Sequence, residues 1–161
     1  DLEGEMIVAR IDGNKVVPYY SKTQIETENA LEERGLEIAW LKDPVDVAFL
    51  HIQGSGSLRF PNGETISVGY QASNGWAYQS IGRYMIDQNY LTKEEMSMQR
   101  IRSYLQAHPE EMAPVLNHNP SYVFFKLESE GPLGYINVLL TPGRSIALDK
   151  RIFPPAALAY I

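Results

Sequence analysis

The chain has 161 residues, a formal net charge of −6 and no cysteine. That length holds one globular core, or one domain with a fragment of a second, and an apolar share of 44% is enough to fold. The acidic balance argues against a partner made of phosphates, and the lack of thiols excludes disulfides and cysteine-type zinc sites.

No apolar run reaches the roughly 18 residues of a membrane span, and no signal peptide is visible. Asp1-Leu2-Glu3-Gly4 does not resemble a native start, so a fragment is expected. Met6 to Val17 predicts a hairpin turning at Asp12-Gly13. Thr23-Gln24-Ile25-Glu26 has capping-box spacing and opens a helix, with Gly35 suited to a left-handed stop. Leu36, Ile38, Trp40 and Leu41 suggest a strand. Asp43-Pro44 reads as a helix start, because Asp43 can accept an orphan N–H and Pro44 loses little there. Phe49 to Ile52 reads as extended, and Asn62-Gly63 joins Leu58–Phe60 to Thr65–Tyr70 as a second hairpin.

Three helices follow. One spans Tyr78 to Asn89, one carries Met98, Ile101, Tyr104 and Leu105 and stops at Pro109, and a short one carries Met112, Val115 and Leu116. Strands are expected at Tyr122–Phe125, Tyr135–Leu140, Ile146–Leu148 and Leu158–Ile161, with a turn at Thr141–Arg144. The last strand runs into the chain end, which suggests truncation. The class is mainly β with a helical insertion, an α+β arrangement built on a β-barrel or strongly curved sheet.

Few residues announce chemistry. His51, His108 and His118 have no metal-type spacing, so no metal and no cofactor is expected. There is no nucleophile elbow and no phosphate-cradling loop. Asp43 and Asp46 read as helix-start charges, Asp149 as a turn residue, and Glu94, Glu95, Glu110 and Glu111 as solvated helix starts. The small polar stretches are more suggestive. Gln53-Gly54-Ser55-Gly56 and Asn74 to Arg83 combine amides, hydroxyls, rings and glycines. Amides and hydroxyls bond a neutral sugar, aromatic rings stack on its apolar face, and glycine permits close approach. Turns with Tyr78 and Ile81 in the core account for the same residues equally well.

These stretches also carry a resemblance. Asp43-Pro44-Val45-Asp46, His51-Ile52-Gln53-Gly54-Ser55-Gly56, Val68-Gly69-Tyr70, Asn74-Gly75, Tyr78 and Ser80-Ile81-Gly82-Arg83 occur in one order. Ser97-Met98-Gln99, Asn119 to Phe125 and Leu140 to Ser145 continue it. Over roughly residues 40 to 155 the pattern resembles the murein transglycosylase A family.

The resemblance implies a two-domain parent: a double-psi β-barrel related to a three-aspartate domain, and a smaller β-barrel domain inserted into it. Residues 1–139 resemble the insert. Residues 140–161 resemble the first strands of the catalytic barrel, truncated, with Pro154-Pro155-Ala156 where relatives often have P-L-G. The implied reaction is cleavage of the bond between N-acetylmuramic acid and N-acetylglucosamine by one aspartic acid, giving a 1,6-anhydro sugar. That aspartate belongs to a motif resembling D-x-G-x-x-I-x-G, which does not occur before Ile161. The resemblance therefore implies no catalytic residue in this chain and a peptidoglycan strand as its partner. Gln53, Gly54, Ser55, Tyr70, Asn74, Tyr78 and Ser80 are the candidate sugar-facing residues. Other cell-wall enzymes are further candidate partners. The implied location is the periplasm, as an outer-membrane lipoprotein. Rival readings are a hydrolase acting through its own carboxylates, a barrel binding single-stranded nucleic acid, and a stand-alone saccharide- or partner-binding domain.

Overall fold

The structure, a computed structural model, describes residues 8–128, 134, 138–146, 148 and 152–154. Among them the chain forms two antiparallel sheets and five helices, an α+β arrangement whose three-stranded sheet does not close into a barrel.

β1 (Ala9–Asp12) and β2 (Lys15–Pro18) form the first hairpin. Asp12 pairs with Lys15, so the tip is Gly13-Asn14, one residue later than expected. Gly13 takes φ +60 as the first central residue, the position where a type II′ turn requires glycine.

α1 covers only Lys22–Glu26. Its capping box lies two residues before the predicted one. Ser21 Oγ accepts from Gln24 N at 3.3 Å, and Gln24 Oε1 accepts from Ser21 N at 3.0 Å. Gly35 has the expected left-handed φ of +62, but Asn29 and Glu33 also take positive φ and the helix has already ended. Leu36, Ile38 and Trp40 form no strand, since among the described residues no strand offers them a ladder.

α2 (Pro44–Gln53) starts where predicted, with Val45 N donating to Asp43 Oδ1 at 2.8 Å. It then runs through Phe49–Ile52, which is helical rather than extended. The reason is visible in Val45, Ala48 and Phe49: their i, i+3, i+4 spacing puts all three into the core. Gly54, at φ +75, ends the helix in the left-handed conformation.

β3 (Ser55–Arg59), β4 (Thr65–Ser73) and β5 (Val123–Glu128) form the main sheet in the order β3-β4-β5. Its hairpin closes at Asn62-Gly63 as predicted, and a register shift between Tyr70 and Ala72 bends β4. Between β4 and β5 lie α3 (Ile81–Asp87), α4 (Met98–Ala107) and α5 (Pro109–Asn117). α3 starts at its Ser80 cap, later than predicted. The helical core joins Val45 and Phe49 of α2 to Met85, Leu105 and Val115. Arg102 of α4 ties itself to α2 by binding both Asp43 and Asp46.

Thr141 O accepts from the N–H groups of Arg144 and Ser145, both at 3.0 Å, which forms the expected turn. Ile146 and Leu148 are not in a strand. The expectations at Met6 and Ile7, at 135–137, at Asp149 and at Leu158–Ile161 lie outside the described residues.

Candidate functional site

The end of α2, the start of β3, the middle of β4 and residues along β5 enclose an open cleft of about 530 Å³. It gathers four of the seven predicted residues: Gln53, Gly54, Ser55 and Tyr70. The left-handed Gly54 makes this possible. It turns the chain from helix to strand, so that Gln53 and Ser55 stand on one rim. Ser55 pairs with Gly69 and thus sits opposite the neighbour of Tyr70. Tyr70 is 54% exposed.

Sequence reasoning missed the far wall. Lys126 and Glu128 line the cleft and pair with each other at 3.4 Å, so it is lined by polar groups with balanced charge. The Glu128 carboxylate lies directly across Gly69; a Cβ at that position would collide with it. Gly69 is therefore a cleft residue through what it lacks. The strand alternation from Val123 onward was a signal that placed Lys126 and Glu128 on one face.

Asn74 is corrected. It is only 1% exposed, and its amide is fully used. Nδ2 donates to Tyr20 O and Pro120 O, both at 2.9 Å, while Oδ1 accepts from Tyr122 N at 2.9 Å and Trp76 N at 3.4 Å. Burial demands that satisfaction and leaves nothing for a sugar. Tyr78 and Ser80 are exposed but lie outside the cleft. Ser80 Oγ accepts from Arg83 N at 3.2 Å, as the cap of α3. Gln79 N donates to the buried Asn119 at 3.1 Å, which fastens this segment from the other side.

In the cleft wall, His51 is buried against Tyr122 and Phe125. Its Nδ1 accepts from Val123 N at 3.2 Å, and its Nε2 lies 3.5 Å from Glu26 Oε1. Burial first, and the Lys22 ammonium second, lower its pKa to about 4. At neutral pH it is an uncharged spacer that holds β5 against α2. Asp43 and Asp46 bind Arg102, and Asp43 also caps α2, so both act as acceptors in a structural clamp.

Residues 1–126 match the family model described as the MltA specific insert domain. The membrane-bound lytic murein transglycosylase A of Escherichia coli K12 is 39% identical over 121 residues, 73% of this chain and 33% of that protein. The chain thus spans about a third of that relative's length. MltA from Neisseria gonorrhoeae superposes with a TM-score of 0.77 at 39% identity, covering 89% of this chain and 35% of the other. E. coli MltA with bound chitohexaose superposes at 0.76 with 34% identity, covering 94% and 45%. With more than half of its length matched and its helix-to-strand cleft built on the same quoted motifs, this chain belongs to the family of the MltA specific insert domain.

Proposed function

We propose that the chain forms one wall of a glycan groove in a peptidoglycan lytic transglycosylase and contributes no proton donor. The observation that carries this reading is the cleft itself, where an amide, a hydroxyl, an exposed ring and a left-handed glycine converge. Its one lysine and one glutamate pair with each other, which suits a neutral amino-sugar polymer. The chitohexaose found on the E. coli relative supports the same ligand class.

In this reading the whole protein cleaves the β-1,4 bond between N-acetylmuramic acid and N-acetylglucosamine. One aspartic acid outside this chain protonates the glycosidic oxygen. The same carboxylate then draws the proton from the C6 hydroxyl as that oxygen closes on C1. No water is added, and the product is the 1,6-anhydro sugar. Residues 140–161 are the entry into the barrel that carries that acid. The cell envelope is the matching location, because the relatives are described as membrane-bound murein enzymes; an outer-membrane lipoprotein facing the periplasm is the specific form proposed.

The test is an NMR titration of the chain with chitohexaose. Shifts at Gln53, Gly54, Ser55, Tyr70 and Glu128 are expected, and Tyr70→Ala should weaken binding about fivefold, the value of one stacked ring. Shifts absent from that cleft would overturn the reading in favour of a partner-binding domain. Release of anhydro-muropeptides from murein sacculi by the chain alone would place a catalytic carboxylate within it after all.

A further inference from the structure

A second open cleft, of about 520 Å³, lies beyond Gln53, between residues 39–42 and the segment from Gly56 to Pro61. Gln53 lines both clefts, so they adjoin at the last turn of α2. Their chemistry differs. The first holds one lysine paired with one glutamate. The second holds Lys42 and Arg59, both exposed and neither in an ion pair among the described residues. Arg102, on the same wall, is occupied by Asp43 and Asp46. Those three groups leave one residual negative charge, so the local balance stays positive by one against a chain total of −6. Trp40 stands 87% exposed at the rim, and Phe60 and Met98 supply apolar surface.

A neutral sugar has no use for two free cations. An anionic branch of a neutral polymer does. We propose that this second cleft binds a carboxylate-bearing peptide attached to the glycan whose sugars occupy the first cleft. Lys42 and Arg59 would take the carboxylates as charge-assisted partners, and the Trp40 ring would cover the apolar part of the peptide. Gln53, at the junction, would bond where sugar and peptide meet. The inference rests on the glycan reading and assigns a second, chemically distinct ligand to the same surface.

The experiment compares two probes on the same chain. Chitohexaose has sugars and no carboxylate; the peptide L-Ala-γ-D-Glu-L-Lys has carboxylates and no sugar. Peptide shifts are expected at Trp40, Lys42, Arg59 and Phe60, with chitohexaose shifts confined to the first cleft. The double variant Lys42→Ala/Arg59→Ala should bind the peptide about fivefold to tenfold more weakly, as two exposed charge pairs allow, and chitohexaose unchanged. Raising the salt should weaken the peptide alone. Circular dichroism of the double variant checks that the fold is retained. Chitohexaose binding in the first cleft with no peptide shift in the second would overturn this inference and leave the glycan reading standing. Absence of chitohexaose binding would overturn the glycan reading and this inference with it. A peptide affinity unchanged in the double variant would equally refute it.

Discussion

Asn74 offers the sharpest test of how this domain divides structure from recognition. Its side chain joins the segment after β2, the end of β4 and the approach to β5 through four hydrogen bonds. Asn74→Ala deletes all four and strands the Tyr20 carbonyl and the Tyr122 N–H beside a small void, while Pro120 O keeps its bond from Lys22 N at 2.9 Å. At about 1–3 kcal/mol for each buried group left unpaired, partly relieved by water, a loss of about 3 kcal/mol is expected. Asn74→Asp is nearly isosteric and keeps both acceptor bonds. It replaces two N–H donors by an oxygen facing two carbonyl oxygens at 2.9 Å. A buried carboxylate without a cation should cost about 3–5 kcal/mol at pH 7. Protonation restores one donor, so the folded-state pKa lies above the unfolded one and the deficit should shrink as pH falls towards 5. Urea unfolding followed by tryptophan fluorescence reads both variants, since Trp76 donates through Nε1 to Tyr19 O at 2.8 Å next to the site. A loss below about 1 kcal/mol in both variants, or weakened chitohexaose binding at unchanged stability, would refute the structural assignment.

Three further outcomes are expected. His51 is held neutral, with its pKa lowered from 6.5 to about 4. The unfolded chain therefore binds the extra proton first, and stability that is complete above pH 6.5 should fall by about 3 kcal/mol as pH drops towards 4; His51→Gln should flatten the thermal midpoint against pH over that window. Asp43→Ala should cost about 1–2 kcal/mol through the lost cap and a half-buried ion pair, measured by urea unfolding, with chitohexaose affinity unchanged. Gly69→Ala should push the Glu128 side chain out of the first cleft, lowering chitohexaose affinity in calorimetry while stability stays within about 1 kcal/mol, because the displaced group is the end of a flexible chain.

Local chemistry was legible in the sequence where one or two residues decide the outcome. Asp43-Pro44 predicted the start of α2, Asn62-Gly63 the main hairpin, and Pro109 the end of α4. What failed were segments decided by distant partners. Phe49–Ile52 has an apolar run that suits a strand or a buried helix, and the helix is selected by the core that Val45, Ala48 and Phe49 share with residues of α3, α4 and α5. Leu36–Leu41 has strand composition but no partner strand among the described residues. The candidate site split along the same line. Gln53, Gly54 and Ser55 were singled out by residue type and do line one cleft, but at the end of a helix and not of the expected strand. Asn74 has a sugar-binding side chain by type, yet three of its four bonding partners lie 46 to 54 residues away. Glu128 entered the cleft only through the β4–β5 register, which pairs it with Ser67 and lets its side chain reach diagonally over Gly69.

Gly54 is the point on which both clefts depend. It ends α2 and begins β3 at φ +75, and Gln53, immediately before it, lines each cleft. A Cβ added at Gly54 would lie 4.0 Å from the Cβ of Tyr70, an ordinary contact, so space is available and the constraint is the backbone conformation alone. That separates two substitutions of similar size. Asn tolerates the left-handed region, whereas a β-branched side chain is strongly disfavoured there. Gly54→Asn should therefore lose less than about 1 kcal/mol and bind chitohexaose nearly as well. Gly54→Val should lose about 2 kcal/mol or more, or shift the junction and displace Gln53 and Ser55 together. Urea unfolding and calorimetry on the two variants decide the matter. Equal behaviour of Asn and Val would mean that the left-handed turn is not what aligns the cleft rim, and the glycan wall would need a different architect.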